Sequence, residues 1–162
     1  MKYPIIFLGL LLSLSILGCQ EIHQENKTTE IQNGYDAEAA LKYGADEYGM
    51  KKYILAFLKT GPNRDLSKED AQKLQMEHLK NITKMAEEGK LVVAGPFFGE
   101  GDMRGIYIFN VESLEEARTL TESDPAIKAG SLVMELKEWY CSAALMAVND
   151  IHNTLTKKSI TE

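Results

Sequence analysis

The stretch Lys52-Tyr53-Ile54-Leu55-Ala56-Phe57-Leu58-Lys59 decides the fold. It is rich in apolar and aromatic residues and ends at Thr60-Gly61-Pro62-Asn63, so it reads as a strand followed by a turn. A strand with one face in water alternates apolar and polar residues. This one does not. Tyr53, Leu55 and Phe57 lie on one face, Ile54, Ala56 and Leu58 on the other, and both sets are apolar. A later strand, Arg104 to Val111, repeats the pattern, with Ile106 and Ile108 set against Tyr107 and Phe109. The sheet these strands form must therefore be covered on both sides.

The covers are read on either side of these strands. Ser67 and Asp70 have capping-box spacing, with Asp in place of the usual Glu or Gln. A helix follows to about Glu88, with Ala71, Leu74, His78, Ile82 and Met85 on one face and Leu79 and Ala86 widening the stripe. Gly89 supplies its stop. Leu91 to Ala94 is a second strand closed by Gly95-Pro96, and Phe97 to Asp102 is a hairpin loop into the third. Ser113 and Glu116 open a short helix to about Glu122, which Asp124-Pro125 breaks. Pro125 to Ala129 offers one more turn, Gly130 ends it, and Leu132 to Trp139 is a fourth strand. A short amphipathic tail runs from Ala143 to Leu155. The order β-α-β-β-α-β makes the domain α+β and ferredoxin-like. Two helices cover one face only. A second copy of the same sheet is the simplest cover for the other, which makes a homodimer the expected assembly.

Upstream, Lys2 precedes an apolar run from Ile5 to Leu17, too short to span a membrane comfortably but suited to a signal peptide. It ends Leu14-Ser15-Ile16-Leu17-Gly18-Cys19, which resembles the bacterial lipobox. The resemblance implies cleavage after Gly18 and lipidation of Cys19, and a diacylglyceryl group carries the two chains that stable anchoring takes. Gln20, rather than aspartate, follows the cysteine, which favours the outer membrane over the inner. Gln20 to about Met50 is polar and largely aperiodic, as expected of a flexible tether, with room for a helical turn or two at Tyr35 to Leu41. The expected organisation is thus residues 1–18 signal peptide, 19–50 lipidated cysteine and tether, 51–155 domain, and 156–162 polar tail.

Composition narrows the function. The 162 residues carry a net charge of −6, with no Lys/Arg-rich run, which argues against nucleic-acid binding. Cys141 is left without a partner once Cys19 is lipidated and reads as a small buried hydrophobe. His23, His78 and His152 lack metal-ligand spacing. Gly99-Glu100-Gly101 lies between two strands, so it fails as a phosphate loop, and no other cofactor motif is present. His78, in the middle of a core-facing stripe, reads either as a structural histidine with satisfied ring nitrogens or as a reactive group. Asp124 reads as an N-cap, with Pro125 at the first helical position. Arg104, at the start of the third strand, reads as an edge charge or as a holder of a carboxylate or phenolate.

The stretch from His78-Leu79 through Gly89-Lys90-Leu91, Ala94-Gly95-Pro96 and Gly105 resembles the YCII-related proteins. Glu115-Glu116-Ala117, Asp124-Pro125 and Ala129-Gly130 continue the match, which covers roughly Lys51 to Tyr140. The resemblance implies a ferredoxin-like fold paired into a dimeric α+β barrel. It also implies a pocket beside His78 and Asp124 as the active site, and at least one such relative is linked to dehydrochlorination of a hydroxylated ring. Two function classes follow. One is a cofactor-independent acid–base enzyme using His78 and Asp124, in a pocket shaped by Gly95, Pro96 and Arg104. The other is a non-catalytic small-ligand-binding or envelope-associated module. On the catalytic reading a hydrogen bond between His78 and Asp124, direct or through one water, is expected.

Overall fold

A computed structural model describes residues 34–161 of the chain. Cys19, the leader and the first part of the expected tether lie outside them.

Four antiparallel strands form one sheet: β1 (Met50–Thr60), β2 (Leu91–Pro96), β3 (Met103–Phe109) and β4 (Leu132–Ser142), in the order β2-β3-β1-β4. This is the α+β, ferredoxin-like arrangement expected from the element order. Helix α2 (Lys68–Glu87) joins β1 to β2. Helices α3 (Leu114–Ser123) and α4 (Pro125–Lys128) join β3 to β4. The capping residues act as their spacing suggests. Ser67 Oγ accepts from the Asp70 N–H and donates to its carboxylate, and Ser113 Oγ accepts from the Glu116 N–H.

The inner face of the sheet carries Ile54, Ala56, Leu58, Tyr107 and Phe109, buried against Met85 of α2 and Ala117 of α3. The outer face carries Tyr53, Val92 and Ile108, also buried. Part of the outer cover comes from the chain itself. After β4 the chain turns through a 3-10 segment, Ala143–Ala147, which packs Leu145 and Met146 onto that cluster. Helix α5 (Val148–Leu155) follows, and Asn149 Nδ2 donates to the Leu91 carbonyl at the sheet edge. The tail shields only one end. At the other, Phe57 and Ile106 stay half-buried and Val133 is 43% exposed. Lys59 and Lys137 flank Glu135 there at 2.5 and 3.0 Å. The Lys59 hydrogen bond, then that of Lys137, holds the Glu135 carboxyl down at about 2.

The described part of the expected tether, residues 34–50, is structured. Helix α1 (Ala37–Tyr43) is capped by Asp36 and ended by Gly44, in the left-handed conformation that glycine tolerates. Its Lys42 pairs with Asp150 of α5 at 3.1 Å. Asp46 then accepts from the N–H groups of Tyr48 and Met50 and from the Tyr140 hydroxyl. None of the residues of α1 is buried, so caps and polar ties, rather than an apolar face, hold it. It overlaps the helical turn or two expected at Tyr35 to Leu41.

Candidate active site

Two elements on the inner face bring a polar group into the core. In α2, His78 falls within the apolar stripe and is buried, with 6% of its surface exposed. Asp124, at the α3–α4 junction, is wholly buried. The two meet: His78 Nδ1 lies 2.9 Å from both carboxylate oxygens of Asp124. Asp124 Oδ1 also accepts from the Ala126 N–H at 2.8 Å, capping α4. The capping role read from the sequence and the histidine contact thus belong to one carboxylate, and they are not alternatives.

Two further residues complete the group, and the sequence reading singled out neither of them. Asn81 Nδ2 donates to Asp124 Oδ2 at 3.2 Å. Its signal was its position three residues after His78, on the same helical face. Tyr107 of β3 places its hydroxyl 3.2 Å from His78 Nε2, the rings lying near parallel at 22° with centroids 6.2 Å apart. Its signal was a tyrosine on a helix-facing strand position, because a buried phenol seeks a partner for its hydroxyl.

These contacts fix the direction of the hydrogen bonds. A carboxylate only accepts, so Nδ1 carries the proton and donates to Asp124. Burial first, and the charge of Asp124 second, push the Tyr107 phenol above its ordinary range, so it stays protonated and donates to Nε2. The result is a directed chain, Tyr107 to His78 to Asp124. Every buried side-chain nitrogen and oxygen among the described residues has a partner.

The chain opens on a cavity of about 260 Å³. His78 and Tyr107 form part of its wall, while Asp124 stands behind them. Leu58, Leu79 and Ile82 give it an apolar side, and Gly95, Pro96 and Arg104 line its rim. The structure therefore brings all five sequence-derived candidates of the domain to one place. Gly105, also in the wall, must be glycine, since a Cβ there would sit 2.5 Å from the Gly95 carbonyl oxygen. Ile160, from the segment read only as a polar tail, also lines the cavity. Among the described residues no group of three or more His, Cys, Asp or Glu side chains gathers as metal ligands would.

The family model described as the YCII-related domain matches residues 53–140. The uncharacterized protein YjpA of Bacillus subtilis (strain 168) is 32% identical over 62 residues, which span 38% of this chain and 71% of that protein. Among solved structures, the chain is similar to the 5-chloro-2-hydroxyhydroquinone dehydrochlorinase TftG of Burkholderia phenoliruptrix AC1100, in complex with 2,5-dihydroxybenzoquinone. That likeness has 27% identity and a TM-score of 0.42, over 54% of this chain and 92% of that one.

Proposed function

The chain belongs to the YCII-related domain family, and for its site we propose cofactor-independent acid–base catalysis on a small molecule held beside His78. The observation that carries this reading is the directed chain Tyr107–His78–Asp124 in the wall of a cavity. A substrate proton passes to the Tyr107 oxygen as the phenol proton passes to His78 Nε2. The imidazolium so formed is stabilised by Asp124, which also holds the ring in the correct tautomer. Running the transfer backwards delivers the proton to a leaving group or a neighbouring atom, so the site serves elimination, isomerisation or hydrolysis. Passing the proton through the phenol in one concerted movement avoids a free phenolate, which burial disfavours.

The test needs no prior substrate. Hydroxylated aromatics and small keto acids are incubated with the protein in deuterated water, and deuterium uptake is followed by mass spectrometry. At least one compound is expected to exchange above its uncatalysed rate, with His78→Ala lowering that rate by roughly 10²–10⁴. A second reading, a non-catalytic ligand-binding module, draws on the fact that the network is fully satisfied without a ligand. Under it no compound exchanges, and compounds that bind do so equally well to wild type and His78→Ala.

We propose in addition that lipid on Cys19 anchors the protein in a bacterial envelope, with the outer membrane favoured, and that two copies pair through the outer sheet face. The first rests on the Leu14–Cys19 stretch. Fatty-acid-analogue labelling of the wild type, and its loss in Cys19→Ser, is the expected result; equal labelling of both would refute it.

A further inference from the structure

A second cavity, of about 240 Å³, adjoins the one beside His78. Gln75, Arg104 and Leu132 line both, so the two are lobes of one cleft. The first lobe is largely apolar. The second brings in Asn63, Arg64 and Ser131.

Arg64 is held there by its backbone. The Gly61 and Asn63 N–H groups donate to the carbonyls of Ser131 and Gly130, each at 2.9 Å. Asn63 Nδ2 donates to the Ala129 carbonyl, also at 2.9 Å, and Arg64 Nη1 lies 3.4 Å from the Ser131 carbonyl oxygen. The loop after β1 is thereby clamped onto the turn before β4. The approach requires glycine, since a Cβ at Gly61 would lie 2.2 Å from the Gly130 oxygen. Arg104 reaches the cleft from the start of β3.

Charge then identifies the occupant. The chain has 24 acidic residues against 18 Lys and Arg. Even so, among the described residues no carboxylate forms an ion pair with Arg64 or Arg104. Two arginines from separate elements line one cleft, neither with an ion-pair partner among the described residues. A guanidinium presents its donors as a planar fork that matches a carboxylate. We infer that the cleft takes an organic acid, its carboxylate held by Arg64 and Arg104 and its apolar or aromatic body lying against His78 and Tyr107. This inference names a substrate class for the reactive lobe and so rests on that reading.

The probes are benzoate, phenylacetate and 3-phenylpropanoate, each compared with its primary amide. Binding to the full chain in detergent micelles is followed by NMR at the His78 ring. At least one acid is expected to bind about tenfold more tightly than its amide and to shift the His78 signals. Arg64→Gln and Arg104→Gln should each remove most of that preference while leaving amide binding in place, and added salt should weaken it. Acids and amides that bind alike, or a preference untouched by Arg64→Gln, would overturn the inference. If such probes still shift His78, the reactive-lobe reading survives. Acids held through the arginines that never disturb His78 would also overturn it, by separating the lobes. The deuterium-exchange experiment judges the catalytic reading independently.

Discussion

The two faces of the sheet carry nearly the same apolar alternation, yet they are covered in different ways. The inner face is closed by α2, α3 and α4, and into that closure the chain sets a buried network of His78, Asp124, Asn81 and Tyr107. The outer face is closed at one end by the 3-10 segment, through Leu145 and Met146, and left half-open at the other around Phe57 and Ile106. Apolar patterning states that a face will be buried. It does not state by what. The inner cover leaves a cavity beside His78 and so builds a site, whereas the outer cover is partial and leaves Phe57 and Ile106 half-buried.

The largest effect should come from the inner face. Asp124→Ala removes the partner of His78 Nδ1, the acceptor for Asn81 and the cap of α4 together. A buried donor left unpaired costs about 1–3 kcal/mol, and loss of a cap about 1 kcal/mol. Urea denaturation should therefore register a loss of roughly 3 kcal/mol, while Asp124→Asn, which keeps an acceptor oxygen, should lose less. Equal and small losses in both variants would mean that the network does not brace the inner face.

On the outer face the effect should be smaller and fall on assembly rather than on folding. Sedimentation of the full chain in detergent should give a dimer, since twofold pairing of like faces is the commonest symmetry. Ile106→Glu, at a half-buried position, should give monomers with little change in the unfolding midpoint. A wild-type monomer at micromolar concentration would remove the outer face as an interface. It would leave the tail as the whole of its cover.

The particular residues show how far the sequence could be read. Strand alternation and the serine caps carry the element order because these are local signals, fixed by side-chain period and backbone donors. His78 and Asp124 each had a sufficient structural explanation. The resemblance to the YCII-related proteins, with a topology that packs both helices on one sheet face, put them together, and the observed contact joins residues 46 positions apart. Tyr107 and Asn81 were hidden because each fits its element without comment, a tyrosine in a strand and an asparagine on a helix. The tail was legible as amphipathic, but nothing local says that it folds back over the outer face. Helix α1, seven residues long, matches the helical turn or two read there, but its tie to α5 through the Lys42–Asp150 pair had no local signal.

The hydrogen bonds run from Tyr107 through His78 to Asp124, leaving Nε2 as the nitrogen that takes a proton. Long-range proton–nitrogen NMR of the His78 ring tests this directly, recorded above the pH range in which imidazole protonates. A protonated Nδ1 and a bare, hydrogen-bonded Nε2 are expected, with the Nε2 signal moving in Tyr107→Phe while Nδ1 stays protonated. A proton found on Nε2, with Nδ1 bare against Asp124, would contradict that direction.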